Sequence, residues 1–254
     1  MNADNQNDIL LSVDRLTVHY NQFKALNDVS IQVENGSVVS LIGSNGAGKS
    51  TLLNTIMGIN KPTSGKVLLK GQEIQGLATN KIVSKGICLS PEGSQVFEKL
   101  SVRENLMLGA YLPEARKHMD ESMDKVLSLF PMLKEKFEQT ADFLSGGQRQ
   151  MLAIGRAIMS MPRILMCDEI SLGLAPVIIQ DIYETLEKIK AEGVTIILVE
   201  QDMKRSLLYS DYAYIILKGS VVLEGYSGEL SEEEVSDAYF GLKKYSGSET
   251  GDKE

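Results

Sequence analysis

The chain has 254 residues, 43% of them hydrophobic, which suits one large domain or one domain with a sizeable insertion. Its formal net charge is −8 and no run of Lys or Arg forms a basic stripe, so the footprint of a nucleic-acid-binding protein is missing. The longest apolar stretches, such as Ile196–Val199, are far shorter than the roughly 20 residues that cross a bilayer, and the polar amino terminus does not resemble a signal peptide.

The first part of the chain is predicted to be mainly strands. Runs of β-type composition lie at Ile9–Tyr20, Val29–Val33 and Ser37–Gly43. After them, apolar residues recur at helical spacing, and Gly58 is placed to end that helix. A further strand is predicted at Lys66–Gly71.

The middle of the chain, from about Val102 to Met161, is mostly helical in pattern. Two stripes at helical spacing are predicted to face a core, the first with Met119, Met123, Val126 and Phe130, the second with Met151, Ile154, Ile158 and Met161. Strands and helices then alternate, at Arg163–Glu169, Val177–Gly193, Val194–Glu200 and Tyr212–Gly219. This alternation predicts a parallel sheet, and the polar tail 243–254 is predicted to be disordered.

The segment GSNGAGKST is the first motif with a clear chemical purpose. It fits the pattern G-x-x-x-x-G-K-[ST], follows a predicted strand and opens a predicted helix. Its glycines let successive backbone N–H groups turn toward one anion, and the helix start adds partial positive charge. Lys49 is predicted to meet the β- and γ-phosphates, and the Ser50 hydroxyl to bind Mg²⁺. The predicted nucleotide-binding residues here are Gly43, Ser44, Asn45, Gly46, Ala47, Gly48, Lys49, Ser50 and Thr51.

The segment RILMCDE predicts a buried strand, Ile164–Cys167, that ends in two carboxylates. Ligands of open α/β sheets bind at the carboxyl ends of the strands. Asp168 is therefore predicted to hold Mg²⁺ through a water, and Glu169 to polarise an attacking water against the γ-phosphate. An acidic pair at a strand end is often only a solvated turn, but the complete phosphate loop favours the catalytic interpretation.

The segment LSGGQ predicts a second anion site, again with backbone amides at the start of a helix. Its residues are Leu144, Ser145, Gly146, Gly147 and Gln148. It has no acid, thiol or histidine, so it can bind a ligand but cannot break a bond by itself. One nucleotide does not need two phosphate-binding loops from one chain.

Together the three motifs resemble the nucleotide-binding domains of ATP-binding-cassette proteins, over about residues 9–242. The resemblance implies an α/β fold, with a P-loop NTPase (RecA-like) core, an N-terminal antiparallel β subdomain and a helical insertion. The core and β subdomain are expected at about 9–90 and 161–225, and the helical subdomain at about 91–160. In that family the LSGGQ of one protomer closes over the ATP held by the other, which implies a dimer around two Mg-ATP molecules.

The resemblance assigns further site residues. Tyr20 matches the aromatic that stacks on adenine, although a half-buried strand tyrosine is the alternative interpretation. Glu92 stands where the family usually has a glutamine that senses Mg²⁺ and contacts the membrane subunit. Gln201 stands where the family usually has a histidine near the γ-phosphate.

The segments PEG–VF–LSVRENL, CDE–SLGLAP and LVEQ are similar to one subgroup, the smaller ATPase of branched-chain amino acid importers. This implies ATP hydrolysis that energises uptake through separate permease subunits, with a paralogous ATPase or a second copy as partner and a solute-binding protein acting indirectly. The chain is then expected to be cytoplasmic and peripheral on the inner face of the membrane.

Two alternatives remain at this stage: an importer of urea or short amides, and a non-transport cassette ATPase of DNA repair or translation. The sequence departs from the subgroup at Ile170 and Ser94, and Ala175 stands where many cassette ATPases of the wider family carry an aspartate that bridges the two protomers.

Overall fold

The computed structural model describes residues 8–242, so the predicted disordered tail lies outside the described residues. In chain order, the first elements are β1 (Ile9–Tyr20), β2 (Phe23–Glu34), β3 (Val38–Ile42), α1 (Lys49–Ile56), β4 (Ser64–Leu69) and β5 (Gln72–Glu73). The middle elements are α2 (Thr79–Ser84), β6 (Ile87–Ser90), α3 (Val102–Gly109), α4 (Pro113–Lys117), α5 (Met119–Leu129), α6 (Pro131–Glu135) and α7 (Gly146–Ile158). The last elements are β7 (Ile164–Asp168), α8 (Pro176–Ala191), β8 (Thr195–Glu200), α9 (Met203–Tyr209), β9 (Tyr212–Leu217), β10 (Ser220–Tyr226) and α10 (Glu232–Phe240).

The chain forms two compact units. The first unit comprises the chain up to Gly76 together with the chain from Val199 onwards, and the second comprises Leu77–Leu198. β8 therefore begins in the second unit and ends in the first.

The first unit contains the predicted antiparallel sheet, with strand order β2-β1-β4-β5. β2 is longer than the predicted run Val29–Val33, because its first half, residues 23–28, pairs with the end of β1. In the same unit β3 pairs in parallel with β9, and β10 extends the pair by an antiparallel hairpin. All five residues of β3 are buried, as expected for a strand in a parallel arrangement.

The second unit combines the parallel neighbours β6 and β7 with helices α3 to α7. α3 and α7 approach closely at Gly109, where a Cβ would lie only 2.1 Å from the backbone oxygen of Arg156. The helical character predicted for this region is confirmed. One member of the predicted stripes is wrong, because Met161 lies beyond the end of α7 with a positive φ of 56° and is exposed.

Among the described residues, no helix combines the length and the apolar character needed to cross a lipid bilayer.

Candidate functional site

The phosphate loop connects the buried strand β3 to helix α1 in the first unit. The side chain of Lys49, the first residue of α1, is buried and folds back over the loop. Its Nζ donates to the backbone oxygens of Gly43, at 2.7 Å, and Ser44, at 3.1 Å. These two hydrogen bonds hold the ammonium group over the loop, where it can bind an anion.

At two positions of the loop, neighbouring parts of the chain come too close to leave space for a side chain. A Cβ at Gly43 would lie 2.4 Å from the backbone oxygen of Ile216, and Gly48 has a φ of 108° and approaches Leu26 and Ala25. Gly48 is also the residue that caps α1, and it has no side chain to accept from the N–H groups of the first turn. Those N–H groups, with the helix dipole and Lys49, fit the phosphates of a nucleotide.

Tyr20 lies at the end of β1, also in the first unit. Its hydroxyl accepts a hydrogen bond of 2.6 Å from Nδ2 of Asn60, while 45% of the residue remains exposed. The ring is thus tethered at its polar tip and exposed enough to stack on a planar ligand.

In the second unit, β7 ends at Asp168, and Glu169 follows it directly. Asp168 and Glu169 are both more than nine-tenths buried, although neither residue type is usually buried. Glu169 has a φ of 48°, an uncommon conformation for a residue with a side chain that is frequent at functional sites. The burial of both carboxylates and the conformation of Glu169 distinguish the pair from the exposed acids of a solvated turn.

The LSGGQ segment forms the start of α7, in the second unit. Ser145 and Gln148 form a capping box, in which the Ser145 side chain accepts from the Gln148 N–H and Oε1 of Gln148 accepts from the Ser145 N–H. Gly146 and Gly147 are the first two residues of the helix, where N–H groups have no intrahelical acceptor. Leu144 is buried and anchors the segment, while its carbonyl accepts from Arg149.

The two LSGGQ glycines differ in their surroundings. A Cβ at Gly147 would lie 2.5 Å from the side chain of Ile178, so any larger residue here requires Ile178 to shift. A Cβ at Gly146 would meet nothing nearer than Leu174, at 3.7 Å. Gly146 is exposed, so its lack of a side chain leaves space in front of the helix rather than inside the protein.

Glu92 is exposed in the turn that follows β6. Because β6 and β7 are parallel neighbours with Ser90 opposite Cys167, Glu92 lies at the same edge of this pair as Asp168. The residues that follow Glu92 are held by three polar side chains that the sequence interpretation did not single out, namely Asn105, Gln150 and Arg156. The only sequence signal for Gln150 and Arg156 was polarity within a largely apolar helix.

Three further positions were singled out in the sequence: the predicted site residue Gln201 and the departures Ile170 and Ala175. Gln201 directly follows β8 and is partly buried. Ile170 is buried. Ala175 is the exposed N-terminal capping residue of α8, and its methyl group supplies no capping hydrogen bond.

The chain is similar to ATP-binding proteins of transporters over most of its length. The family model described as ABC transporter matches residues 26–171. The high-affinity branched-chain amino acid transport ATP-binding protein BraG of Pseudomonas aeruginosa is 47% identical over 233 residues, covering 91% of this chain and all of that protein. The probable branched-chain amino acid transport ATP-binding protein LivF of Archaeoglobus fulgidus is 36% identical, covering 89% of this chain and 95% of that protein.

Solved structures with the same fold include a nucleotide-free ATP-binding cassette from an ABC transporter. It is 29% identical, with a TM-score of 0.80, and covers 94% of this chain and 100% of its own. A second cassette, in its ADP conformation, is 30% identical with a TM-score of 0.77, covering 90% of this chain and 94% of its own.

Proposed function

Because the chain belongs to the ABC transporter family and is an ATP-hydrolysing cassette, we propose that it energises an importer of branched-chain amino acids. The observation that carries the proposal is the 47% identity to BraG over the whole of that protein. Movement of solute then requires separate permease subunits, with this chain bound peripherally at their cytoplasmic face. A solute-binding protein delivers the substrate on the other side.

The proposed nucleotide contacts rest on the local geometry of the phosphate loop and, for Tyr20 and Gln201, on the family resemblance. The phosphate loop binds the phosphates through backbone N–H groups and Lys49, and the exposed ring of Tyr20 stacks on adenine. Glu169 orients the attacking water and accepts its proton. Gln201 contacts the γ-phosphate through its amide.

The proposed Mg²⁺ ligands are Ser50 and, through a water, Asp168, with Glu92 as a further residue that faces the metal. Bound Mg²⁺ neutralises charge that develops on the β- and γ-phosphate oxygens. Magnesium usually takes only one or two protein ligands beside phosphate oxygens and waters. The described part of the chain contains no group of three or more His, Cys, Asp or Glu side chains suited to an all-protein metal cage, which agrees with that mode of binding.

LSGGQ is proposed to act on the nucleotide of a partner cassette, either a paralogue or a second copy. The open space in front of Gly146 and the helix-start N–H groups supply a place for the γ-phosphate of that nucleotide. The two cassettes close on two ATP molecules, and hydrolysis lets them separate.

Solute-stimulated hydrolysis tests the proposed function. Reconstituted with the permease and binding-protein subunits of its importer, the protein should hydrolyse ATP faster when the binding protein carries leucine, isoleucine or valine. Urea and acetamide should not stimulate it, and Lys49→Ala should abolish the stimulated rate. Stimulation by urea but not by leucine would instead support the short-amide importer. DNA or ribosome stimulation in the absence of permease would support a non-transport role.

A substitution at Gln201 tests its assignment to the γ-phosphate. An amide does not titrate near neutrality, whereas an unperturbed imidazole has a pKa of about 6.5. Gln201→His should therefore introduce a limb in the pH–rate profile between about pH 6 and 8 that the native protein lacks. The measurement is kcat against pH for both proteins, with Gln180→His, an exposed position on α8, as control. Superimposable profiles for the native protein and Gln201→His would remove Gln201 from this role.

A further inference from the structure

The loop from Glu92 to Phe97 has an unusual backbone. Ser94 and Gln95 are consecutive non-glycine residues with φ values of 63° and 41°. Each belongs to the left-handed region, which side chains with a Cβ rarely adopt and which persists only where the surroundings impose it. The cause of this conformation should therefore be found in the contacts of the loop.

Two side chains of α7 supply those contacts. The Ser94 hydroxyl donates to Oε1 of Gln150 at 2.8 Å, and both residues are buried. Nη2 of Arg156 donates to the backbone oxygen of Gln95 at 2.8 Å, and the guanidinium carbon lies 5.2 Å from the centre of the Phe97 ring. α7, the helix that begins with LSGGQ, thus holds the loop at Ser94, Gln95 and Phe97.

The same two side chains are incompletely satisfied. Within the described residues, Nε2 of Gln150 and Nη1 of Arg156 are buried and have no hydrogen-bond partner. Burial also lowers the pKa of Arg156. Since a buried unsatisfied donor is unfavourable, residues retained only for packing would be better replaced by apolar ones. Their polarity is explained if their purpose is to hold the loop.

We propose that Gln150 and Arg156 are positioning residues that hold the Glu92–Phe97 loop against α7. This inference rests on the proposed function. The two residues thereby fix where Glu92 is presented to the nucleotide-bound Mg²⁺. The helix that carries LSGGQ and the loop that carries Glu92 then move as one body, and a displacement of either is transmitted to the other.

The first measurement tests whether the loop is held against α7 in the absence of nucleotide. The sequence has no tryptophan, so Phe97→Trp introduces a single indole beside Arg156, which can be excited separately from the nine tyrosines. Adding Ser94→Ala or Gln150→Leu to this variant should lower the anisotropy of the indole emission, because position 97 is half exposed and its side chain is restrained through contact with α7. Thr185→Val is the matched control: its buried hydroxyl donates to Asp181 of its own helix, so the anisotropy should not change.

The second measurement is the Mg²⁺ concentration for half-maximal hydrolysis at saturating ATP. Ser94→Ala and Gln150→Leu should each raise it about fivefold, the factor that loss of one ordinary hydrogen bond corresponds to. The double variant should show no further rise, since both changes remove the same bond. Arg156→Lys, which keeps a charged donor, should retain more of the native response than Arg156→Met. Thermal melting confirms that each variant is folded.

The outcomes separate the inference from the proposed function. If Glu92→Ala raises the Mg²⁺ requirement but Ser94→Ala and Gln150→Leu do not, the positioning role is wrong and the function stands. Unchanged anisotropy of the indole emission in the Phe97→Trp background, or additive effects in the double variant, would also overturn the positioning role. If Glu92→Ala has no effect on the Mg²⁺ requirement, the proposed role of Glu92 is wrong and the inference that depends on it fails as well. If the native protein hydrolyses no ATP, the proposed function itself is wrong.

Discussion

The Glu169→Gln protein is expected to bind Mg-ATP with near-native affinity and to hydrolyse it about 10²–10⁴-fold more slowly, the usual contribution of a positioned acid or base. Glutamine has the shape of glutamate and can still hold a water by hydrogen bonding. Its amide does not accept the proton that the attacking water must lose. Because Glu169 is buried in a left-handed conformation at the end of β7, an isosteric change should preserve the local backbone.

Two measurements check this prediction: ATP binding at equilibrium and single-turnover hydrolysis. Glu224→Gln, at an exposed position on β10, is the matched control and should keep its hydrolytic rate within about twofold of native, as expected for a surface substitution. A Glu169→Gln rate within about threefold of the native rate would remove Glu169 from the catalytic role. Loss of ATP binding would show that the substitution damages the site and not the chemistry.

Two inactive variants are expected to restore hydrolysis when they are combined in one dimer. Lys49→Ala removes the phosphate-binding charge of one copy and leaves its LSGGQ intact. Gly146→Arg fills the space in front of α7 in the other copy and leaves its phosphate loop intact. In the mixed dimer one site inherits both defects and the other inherits neither, so about half of the native activity per dimer should return if the two sites act independently.

The structure favours Gly146→Arg over changes at the neighbouring positions. Ser145→Arg would also remove the capping box with Gln148, which typically costs about 1 kcal/mol of stability. A side chain at Gly147 would collide with Ile178. Gly146 has room for a Cβ and does not have a positive φ, so Gly146→Ala is the control and should retain the fold.

The two copies should be tethered by a flexible linker, because the effective concentration then compensates for a weak homodimer. Tethered native copies establish the reference rate, and each variant tethered to itself should stay inactive. If the mixed tethered protein is as inactive as its parents while the native tether is active, each copy uses its own LSGGQ and the proposed trans arrangement is wrong.

The local motifs were predictable because neighbours in sequence satisfy their physical requirements. The phosphate loop needs glycines between a strand and a helix, and β3 and α1 flank it as predicted. The helix start at LSGGQ likewise depends on Ser145 and Gln148, which are only three residues apart. The buried strand before Asp168 was evident from four consecutive apolar residues. Resemblance to a known family, and not periodicity, supplied the trans role of LSGGQ and the identities of Tyr20, Glu92 and Gln201.

The contacts that hold the loop after β6 could not be predicted from the sequence. Ser94 and Gln150 are 56 residues apart, and Gln95 and Arg156 are 61 apart, so no local pattern could pair them. The left-handed conformation of Glu169 also could not be predicted from the sequence. Nor could the exposure of Met161, since apolar spacing predicts which face of a helix is buried but not where the helix ends. The sequence was enough to predict the flanking strand and helix of the phosphate loop and its anion-binding chemistry, because backbone geometry and charge act over a few residues. Packing determined the long-range hydrogen bonds, because their donors and acceptors meet only after β6, α3 and α7 have come together.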